Sequence, residues 1–253
     1  NIFAKLYDLY VCDWPGELDF YRALLAEPLI RAHGLLELAC GTGRVALRLA
    51  QEGVRITGLD ISPELLQIAR AKSSGMSNVS WICADMQAFE LGEQFGGVII
   101  PGHSFQFMIT PEQQLECLGA IRRHLVPGGL LVIHLDNPNY GWLAGLLEGK
   151  AIAYRRGDPL TDPVSGQRFR KANYWTFDPA AQTATNHIQW ELIDENGATV
   201  QTWPMASMRL HVPFRFEMEH LLRRAGFAVE AVYGDFNKGE LTSQSEDTIW
   251  LAR

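Results

Sequence analysis

The chain has 253 residues, 47% hydrophobic and 20% charged, with a formal net charge of −7. That suffices for a sizeable core in one large domain carrying an insertion. No apolar run reaches the roughly eighteen residues of a membrane-crossing helix, and no long Lys/Arg block stands ready for nucleic acid phosphates, which argues against both as partners.

Cys12, Cys40, Cys83 and Cys117 show no C-x-x-C spacing, and the seven histidines show no H-x-x-x-H. Neither a disulfide framework nor a metal site is expected, and a reducing cytoplasm is the expected compartment. The segment Asn1 to Asp8 has no secretory pattern, and a chain opening on Asn is expected to lack a few preceding residues.

Five apolar runs read as strands: Leu35 to Ala39, Arg55 to Leu59, Val79 to Cys83, Gly97 to Pro101 and Leu130 to Leu135. Helical spacing between them covers Gly43 to Gln51, Ser62 to Lys72 and Pro111 to His124, with Gly128-Gly129 leading into the fifth strand. Ser62 is a capping residue followed by proline at the first helical position. Repeated strand–helix–strand units predict a parallel sheet with helices on both faces, and ligands gather at the carboxyl ends of its strands. The side chains at those ends are Glu37, Asp60, Asp85, the run Pro101-Gly102-His103-Ser104, and Asp136-Asn137.

From Pro138 the pattern breaks, because Gly141, Gly145, Gly149 and Gly157-Asp158-Pro159 interrupt regular structure. Alternating runs at Phe169 to Phe177, Thr183 to Ile193 and Thr199 to Val212 then predict three antiparallel strands, with turns at Asp178-Pro179 and Glu195-Asn196-Gly197. They are expected to form a flap over the ligand edge. Helical spacing returns at Phe214 to Ala225, followed by strands at Phe227 to Tyr233 and Asp247 to Ala252. The expected division is a core at 1–137, the flap at 138–212, and completion of the core sheet at 213–253.

The junction after the first strand carries the strongest chemical signal. Glu37, Ala39, Cys40, Gly41, Thr42 and Gly43 place a carboxylate and two glycines where a buried strand turns into a helix, so that backbone N–H groups face a nucleotide-like ligand. Gly41-x-Gly43, with Asp60 roughly twenty residues on, also fits the glycine fingerprint of dinucleotide-dependent oxidoreductases. Glu37 decides between them: a carboxylate aimed at this loop repels a pyrophosphate and attracts an ammonium group.

These residues resemble the first motif of class I S-adenosylmethionine-dependent methyltransferases, and the run from Arg215 to Phe227 with Tyr233-Gly234-Asp235-Phe236 is similar to the C-terminal signature of the glycine and aminosugar N-methyltransferase branch. The resemblance covers roughly 180 residues and leaves the flap outside it. It implies a Rossmann-like, doubly wound, mostly parallel seven-stranded sheet with the antiparallel flap inserted after the fifth strand. The implied reaction is in-line methyl transfer from S-adenosyl-L-methionine, giving S-adenosyl-L-homocysteine, to nitrogen or oxygen of a small-molecule acceptor.

By the same resemblance Glu37 holds the methionine ammonium, and Gly41 and Gly43, with Ala39 and Cys40, line the methionine and ribose portion. Asp60 takes the ribose hydroxyls. Ala84, Asp85 and Met86 match the third motif, with Asp85 on the adenine amino group and Ile61 and Met86 packed against the purine. Pro101 and Gly102 lead into a wall between cofactor and acceptor. His103 stands there as a candidate base or as a structural histidine, because methyl transfer needs mainly an unprotonated nucleophile held in line. The aminosugar enzymes that use a histidine carry it a few residues on, where Phe107 stands here.

Tyr7, Tyr10, Trp14 and Tyr21 resemble a lid whose aromatic faces suit a sulfonium or ammonium, with Tyr10 assigned to the cofactor. Tyr21, Phe107, Asp136 and Arg209 are the candidate acceptor contacts. The flap aromatics Tyr174, Trp175, Trp190 and Trp203 fit either an acceptor pocket or plain sheet packing. A monomer or homodimer is expected. Two rivals stay open at this point: a non-catalytic S-adenosylmethionine-binding module and a nicotinamide-dependent oxidoreductase.

Overall fold

A computed structural model describes residues 2–148 and 154–253. Asn1, and Gly149 among the interruptions named above, lie outside the described residues. The chain divides into two compact units, Asp13–Asn137 with Pro213–Arg253, and Asn1–Cys12 with Pro138–Val212.

The larger unit is built on a seven-stranded sheet of order β12-β13-β5-β4-β1-β2-β3. In chain order the strands are β1 (Leu35–Leu38), β2 (Ile56–Asp60), β3 (Val79–Cys83), β4 (Phe95–Ile100), β5 (Leu125–Asp136), β12 (Val229–Tyr233) and β13 (Asp247–Ala252). The first five run parallel, and β13 is antiparallel to both β5 and β12. β1, β2 and β4 are buried along their whole length, as expected of parallel strands covered on both faces.

Strand alternation divides the apolar side chains between two layers. Leu36, Leu38, Val98, Ile100, Leu131 and Ile133 face α6 (Pro111–Arg123) and α8 (Arg215–Arg224). Leu35, Ile99 and Val132 share the other layer with α2 (Glu17–Leu24), α3 (Pro28–His33) and α4 (Ala46–Ala50). Capping fixes the helix starts: Thr110 and Gln113 form a reciprocal box on α6, and Ser62 Oγ accepts from Leu65 N at 3.3 Å on α5 (Pro63–Lys72).

Most core boundaries fall within two residues of expectation, and two are further off. β5 begins at Leu125 instead of Leu130, because the pairing jumps from Phe95↔Leu125 to Gly97↔Leu130 and the intervening residues, with Gly128 at φ +79°, form a bulge inside the strand. α4 starts at Ala46 instead of Gly43, whose φ of +79° is incompatible with a helix.

The smaller unit holds α1 (Ile2–Tyr10), α7 (Tyr140–Leu147) and an antiparallel sheet of β6 (Arg155–Arg156), β7 (Leu160–Thr161), β8 (Arg168–Asp178), β9 (Thr183–Ile193), β10 (Thr199–Thr202) and β11 (Ala206–His211). Leu6 packs with Phe169, Ile188 and Trp190 as its core. The single strand expected over Thr199 to Val212 is two, both paired to β9. Pro204 lies in the gap and has no N–H for the ladder. α7 occupies part of the stretch expected to be irregular, capped by Asn139 Oδ1 accepting from Trp142 N at 2.9 Å. Inside this sheet Glu191 is buried but paired with Arg170 at 2.7 Å and Arg156 at 3.2 Å, which offsets its desolvation.

Docking of α3 on β4 depends on Gly96, where an added Cβ would lie 2.0 Å from the Leu29 carbonyl oxygen. Gly96→Ala is expected to destabilise the protein by at least about 2 kcal/mol in urea denaturation. Gly53→Ala, whose Cβ meets nothing within 4 Å but whose φ is +83°, should cost only about 1 kcal/mol of backbone strain; equal losses would show that the contact is not what matters.

Candidate functional site

The sheet order reverses between β1 and β4, since β1 leads to β2 on one side and β4 to β5 on the other. Such a reversal opens a crevice at the strand ends. The chain leaves β1 through Ala39 (φ +53°), Gly41 (φ +57°) and Gly43 (φ +79°), three left-handed residues in five. Gly43 has a second reason to be glycine: a Cβ there would lie 2.5 Å from Trp81 Cη2, and one on Gly58 would lie 2.4 Å from Trp81 Cζ3. The Trp81 ring on β3 therefore fills the space that side chains at 43 and 58 would need.

Glu37 sits on β1 with 3% of its surface exposed, and its Oε2 has no hydrogen-bond partner among the described residues. Burial pushes its carboxyl up from 4.5 to about 8; Glu17 and Asp60 add to the rise, while Arg44 and the Ala46 backbone N–H oppose it. The sequence reading treats Glu37 as a fixed negative charge. At neutral pH the buried group instead holds its proton.

Asp60 ends β2 and ties the loop down, its Oδ2 accepting from Gly41 N at 2.7 Å and its Oδ1 from Ser62 N at 2.8 Å. Burial raises its carboxyl despite these bonds. The Ile61 backbone N–H is a third partner, which leaves roughly one of the four carboxylate acceptor positions for a ligand hydroxyl. Ile61 beside it is 67% exposed, an unusual place for a bare apolar side chain, whereas Met86 is buried. Ala84 N donates to Asp60 O at 3.1 Å, and exposed Asp85 accepts from Gln87 N at 2.9 Å. The structure thus brings Glu37, Asp60, Ile61 and the start of the third motif to the ends of adjacent strands.

After β4, Pro101 is followed by Gly102 (φ +62°) and His103 (φ +63°), then a single 3-10 turn, Ser104–Phe107. Phe107 is partly exposed. His103 Nδ1 lies 3.2 Å from Asp136 Oδ1 and its Nε2 lies 2.9 Å from Asp247 Oδ1. His134 on β5 reaches the same Asp247 oxygen at 2.9 Å. The Trp14 ring stands edge-on to both imidazoles, with centroids 5.0 Å away. Asp247 is held well below the usual carboxylate range: burial raises it, but the hydrogen bonds from His103 and His134 outweigh burial. Burial raises Asp136 and lowers His134.

His103, His134 and Asp247 also form a group of donor atoms within 4.8 Å of one another, close enough to surround a metal ion. No spacing along the chain signals this cluster, because β4, β5 and β13 supply one member each from distant segments. Glu17 and Arg44 were missed for the same reason, whereas Trp14, expected as a lid aromatic, stands against the two imidazoles. Arg44 Nη2 donates to buried Glu17 at 2.9 Å, Arg44 also pairs with Asp13 at 2.6 Å, and its guanidinium lies 5.4 Å from the Trp14 ring centroid.

Tyr21 is fully buried between Phe20 and Phe236, and its hydroxyl has no partner among the described residues; burial first, then Glu17 and Glu37, raise its pKa. Tyr10 and Arg209 belong to the other unit. Tyr10 packs on Trp190 at 5.4 Å with the Lys171 ammonium over its ring, and Arg209 is exposed on β11 opposite Thr185.

Removing Arg44 strands the Glu17 carboxylate, so Arg44→Met is expected to cost about 3–5 kcal/mol in urea denaturation, with Glu17→Gln added to it restoring a measurable part. Glu37 gives a pH signature. Its folded pKa of about 8 exceeds the ordinary 4.5, so the native state binds the extra proton and loses stability as pH rises between those values. Glu37→Gln should therefore gain stability relative to the parent by more than about 1 kcal/mol from pH 5 to pH 8; a constant difference would mean that Glu37 ionises freely.

Comparison with known proteins agrees with this geometry. Residues 35–129 match the family model described as a methyltransferase domain. A protein of Geobacillus sp. (strain WCH70) named as a putative methyltransferase is 31% identical across 99% of this chain and 98% of its own. Glycine N-methyltransferase of Rattus norvegicus is 32% identical over 60% of this chain and 58% of that protein. The dTDP-4-amino-2,3,4,6-tetradeoxy-D-glucose N,N-dimethyltransferase of Saccharopolyspora spinosa is 31% identical over 53% and 52%. In fold, the CcbJ methyltransferase from Streptomyces caelestis superposes with a TM-score of 0.76 at 23% identity, over 99% of this chain and 95% of that one. With a seven-stranded sheet of this order, the family's domain across its first five strands and an end-to-end relative above 30% identity, the chain belongs to the class I S-adenosylmethionine-dependent methyltransferases.

Proposed function

We propose that this methyltransferase modifies the amine nitrogen of a small-molecule acceptor, with its cofactor held at the ends of β1, β2 and β3. The observation that carries the cofactor assignment is the orphaned, buried Glu37 Oε2, an acceptor that lacks a donor and that an amino-acid ammonium would satisfy. Asp60 has acceptor capacity left for a ligand hydroxyl, and Ile61 offers an open apolar face to a purine. Asp85 and the backbone of Met86 lie at the adenine end of this arrangement. When bound, S-adenosylmethionine supplies a methyl group on a sulfonium and a neutral thioether as the leaving group.

The chain's own contribution is to bind, to orient, and to leave the nucleophilic nitrogen unprotonated. An amine is preferred over a hydroxyl because half-exposed Asp136 stands beside His103 at the end of β5, where a carboxylate attracts an ammonium. The glycine and aminosugar N-methyltransferases among the relatives support the same choice. Phe107 and Asp136 are the acceptor contacts assigned within this unit, and His103 stands behind Asp136.

S-adenosylhomocysteine binding tests the cofactor half. An arriving ammonium displaces the Glu37 proton, so affinity should rise with pH from 6 to 8, by up to about tenfold per unit, with proton release seen by calorimetry in buffers of different ionisation enthalpy. Glu37→Gln should flatten that dependence, and Asp60→Ala should weaken binding at least about tenfold. Affinity independent of pH in the parent, or unchanged in both variants, would remove the assigned pocket. Turnover across a panel of amines and alcohols tests the acceptor half, and methylation confined to hydroxyls would overturn it.

A further inference from the structure

Three side-chain atoms from the loop after β4, from β5 and from β13 meet more closely than hydrogen bonding alone explains. His103 Nε2 and His134 Nε2 are 3.0 Å apart, and each lies 2.9 Å from the same Asp247 oxygen, Oδ1. No placement of protons serves all three contacts, because a carboxylate oxygen only accepts. If both imidazoles carry hydrogen on Nε2, two N–H groups face each other. If either does not, its lone pair faces the carboxylate. A cation among the three atoms makes every one of these contacts a shared attraction.

The size of the triangle says which cation fits. Donors bonded at about 2.1 Å lie about 3.0 Å apart when they meet at right angles at a metal, and about 3.4 Å apart in a tetrahedron. The observed edges of 2.9, 2.9 and 3.0 Å are those of one face of an octahedron. Two imidazoles with one carboxylate suit a divalent first-row transition metal. His103 turns its other ring nitrogen, Nδ1, to Asp136 Oδ1 at 3.2 Å, the carboxylate–imidazole–metal arrangement that orients a ligand histidine. Together the two carboxylates balance a divalent charge. Trp14 stands edge-on to both rings and Phe236 edge-on to His134, an apolar wall beside the site, while the partial exposure of His103 and Asp247 leaves a way in. Pairing of β5 with β13 sets Asp247 opposite Asp136 and Ile249 opposite His134, which holds two ligands in register. Successive positive φ angles at Gly102 and His103 deliver the third.

We propose that His103, His134 and Asp247 bind a divalent first-row transition-metal ion on one face, with Asp136 as a positioning residue behind His103 and the other coordination positions left to water. The ion fastens the loop after β4 to β5 and β13, segments far apart in the chain. One hydrogen bond is given up on binding. Gly102 N donates to His134 Nδ1 at 3.3 Å, whereas a metal on Nε2 leaves the proton of the neutral ring on Nδ1, so the Gly102 peptide has to turn away. At a glycine, with no side chain to carry along, that rotation meets little steric resistance. It also gives the site a signature, because a metal bound here moves the Gly102 amide. The site depends neither on the amine reading above nor on the pocket around Glu37.

Chelator-treated protein titrated with zinc chloride alone, followed by calorimetry and by nitrogen-15 NMR of uniformly labelled chain, tests the site; zinc imposes no geometry of its own. The expected result is one equivalent bound per chain with a dissociation constant below about 10 μM. His103 Nε2, His134 Nε2 and the Gly102 amide should shift together, while His33, His124, His187, His211 and His220 stay in place. Asp247→Asn and His134→Gln should each weaken binding at least about 100-fold, and Asp136→Asn about tenfold. No heat and no shift up to about 1 mM zinc, shifts confined to other histidines or to the cysteines, an unmoved Gly102 amide at saturation, or unchanged affinity in Asp247→Asn would each overturn the proposal. If the variants do not fold, the shifts of the parent protein decide alone. With neither cofactor nor acceptor in the sample, failure here leaves the methyltransferase reading as it stands.

Discussion

A carboxyl group buried on the central strand, with one oxygen lacking a partner among the described residues, is the constraint around which the larger unit is organised. Placing Glu37 in β1 opposes folding, because an ionised carboxylate withdrawn from water costs several kcal/mol even after relaxation. The fold meets that cost partly by letting the group keep its proton and partly by setting Arg44 nearby. Arg44 in turn must be held, and Glu17, Asp13 and the Trp14 ring hold it. The approach from α2 to the first motif is thus a single electrostatic arrangement centred on a buried carboxyl. A buried group with so perturbed a protonation is a candidate for function on physical grounds, and that is the ground on which the cofactor pocket is proposed.

The glycines of the first motif serve two masters. Their left-handed backbone turns the chain sharply out of β1 and exposes N–H groups, one of which, on Gly41, is already taken by Asp60. Gly43 also yields its side-chain volume to Trp81, which passes beneath it and beneath Gly58 on the neighbouring strand. Ligand approach and internal packing therefore make the same demand at different points of one loop. A glycine pattern read from sequence alone does not separate them, since both reasons leave the same residue behind. Asp60 shows the same overlap: it clamps the loop through backbone N–H groups while keeping acceptor capacity in reserve.

Most of the core sheet was legible because its strands are short apolar runs between turn residues, and burial on both faces leaves little choice of sequence. Leu35–Leu38 and Phe95–Ile100 are examples. What was not legible depends on contacts between distant residues. The early start of β5 relies on a bulge around Gly128 that lets a Val-Pro-Gly-Gly stretch remain in the strand, although those residues signal a turn. The break at Pro204 went unseen because alternation continues on either side of it. Glu37 and Asp60 were found by position in a motif, whereas the proton on Glu37 follows only from its burial.

His103 illustrates the limit most sharply. Sequence places a histidine after the fourth strand and leaves base and structural group as alternatives. The structure shows how the ring is held. A positive φ at His103, following another at Gly102, is a strained conformation for a residue with a side chain, and it turns the ring so that each nitrogen meets a carboxylate. Strain of that kind is retained where the aim of a side chain matters more than the stability it forfeits. An isolated imidazole on a loop would have many orientations; one clamped by Asp247, backed by His134 and covered by Trp14 has few. Positioning that imidazole is then a property of two strands of the sheet, β5 and β13, and the loop contributes only the residue.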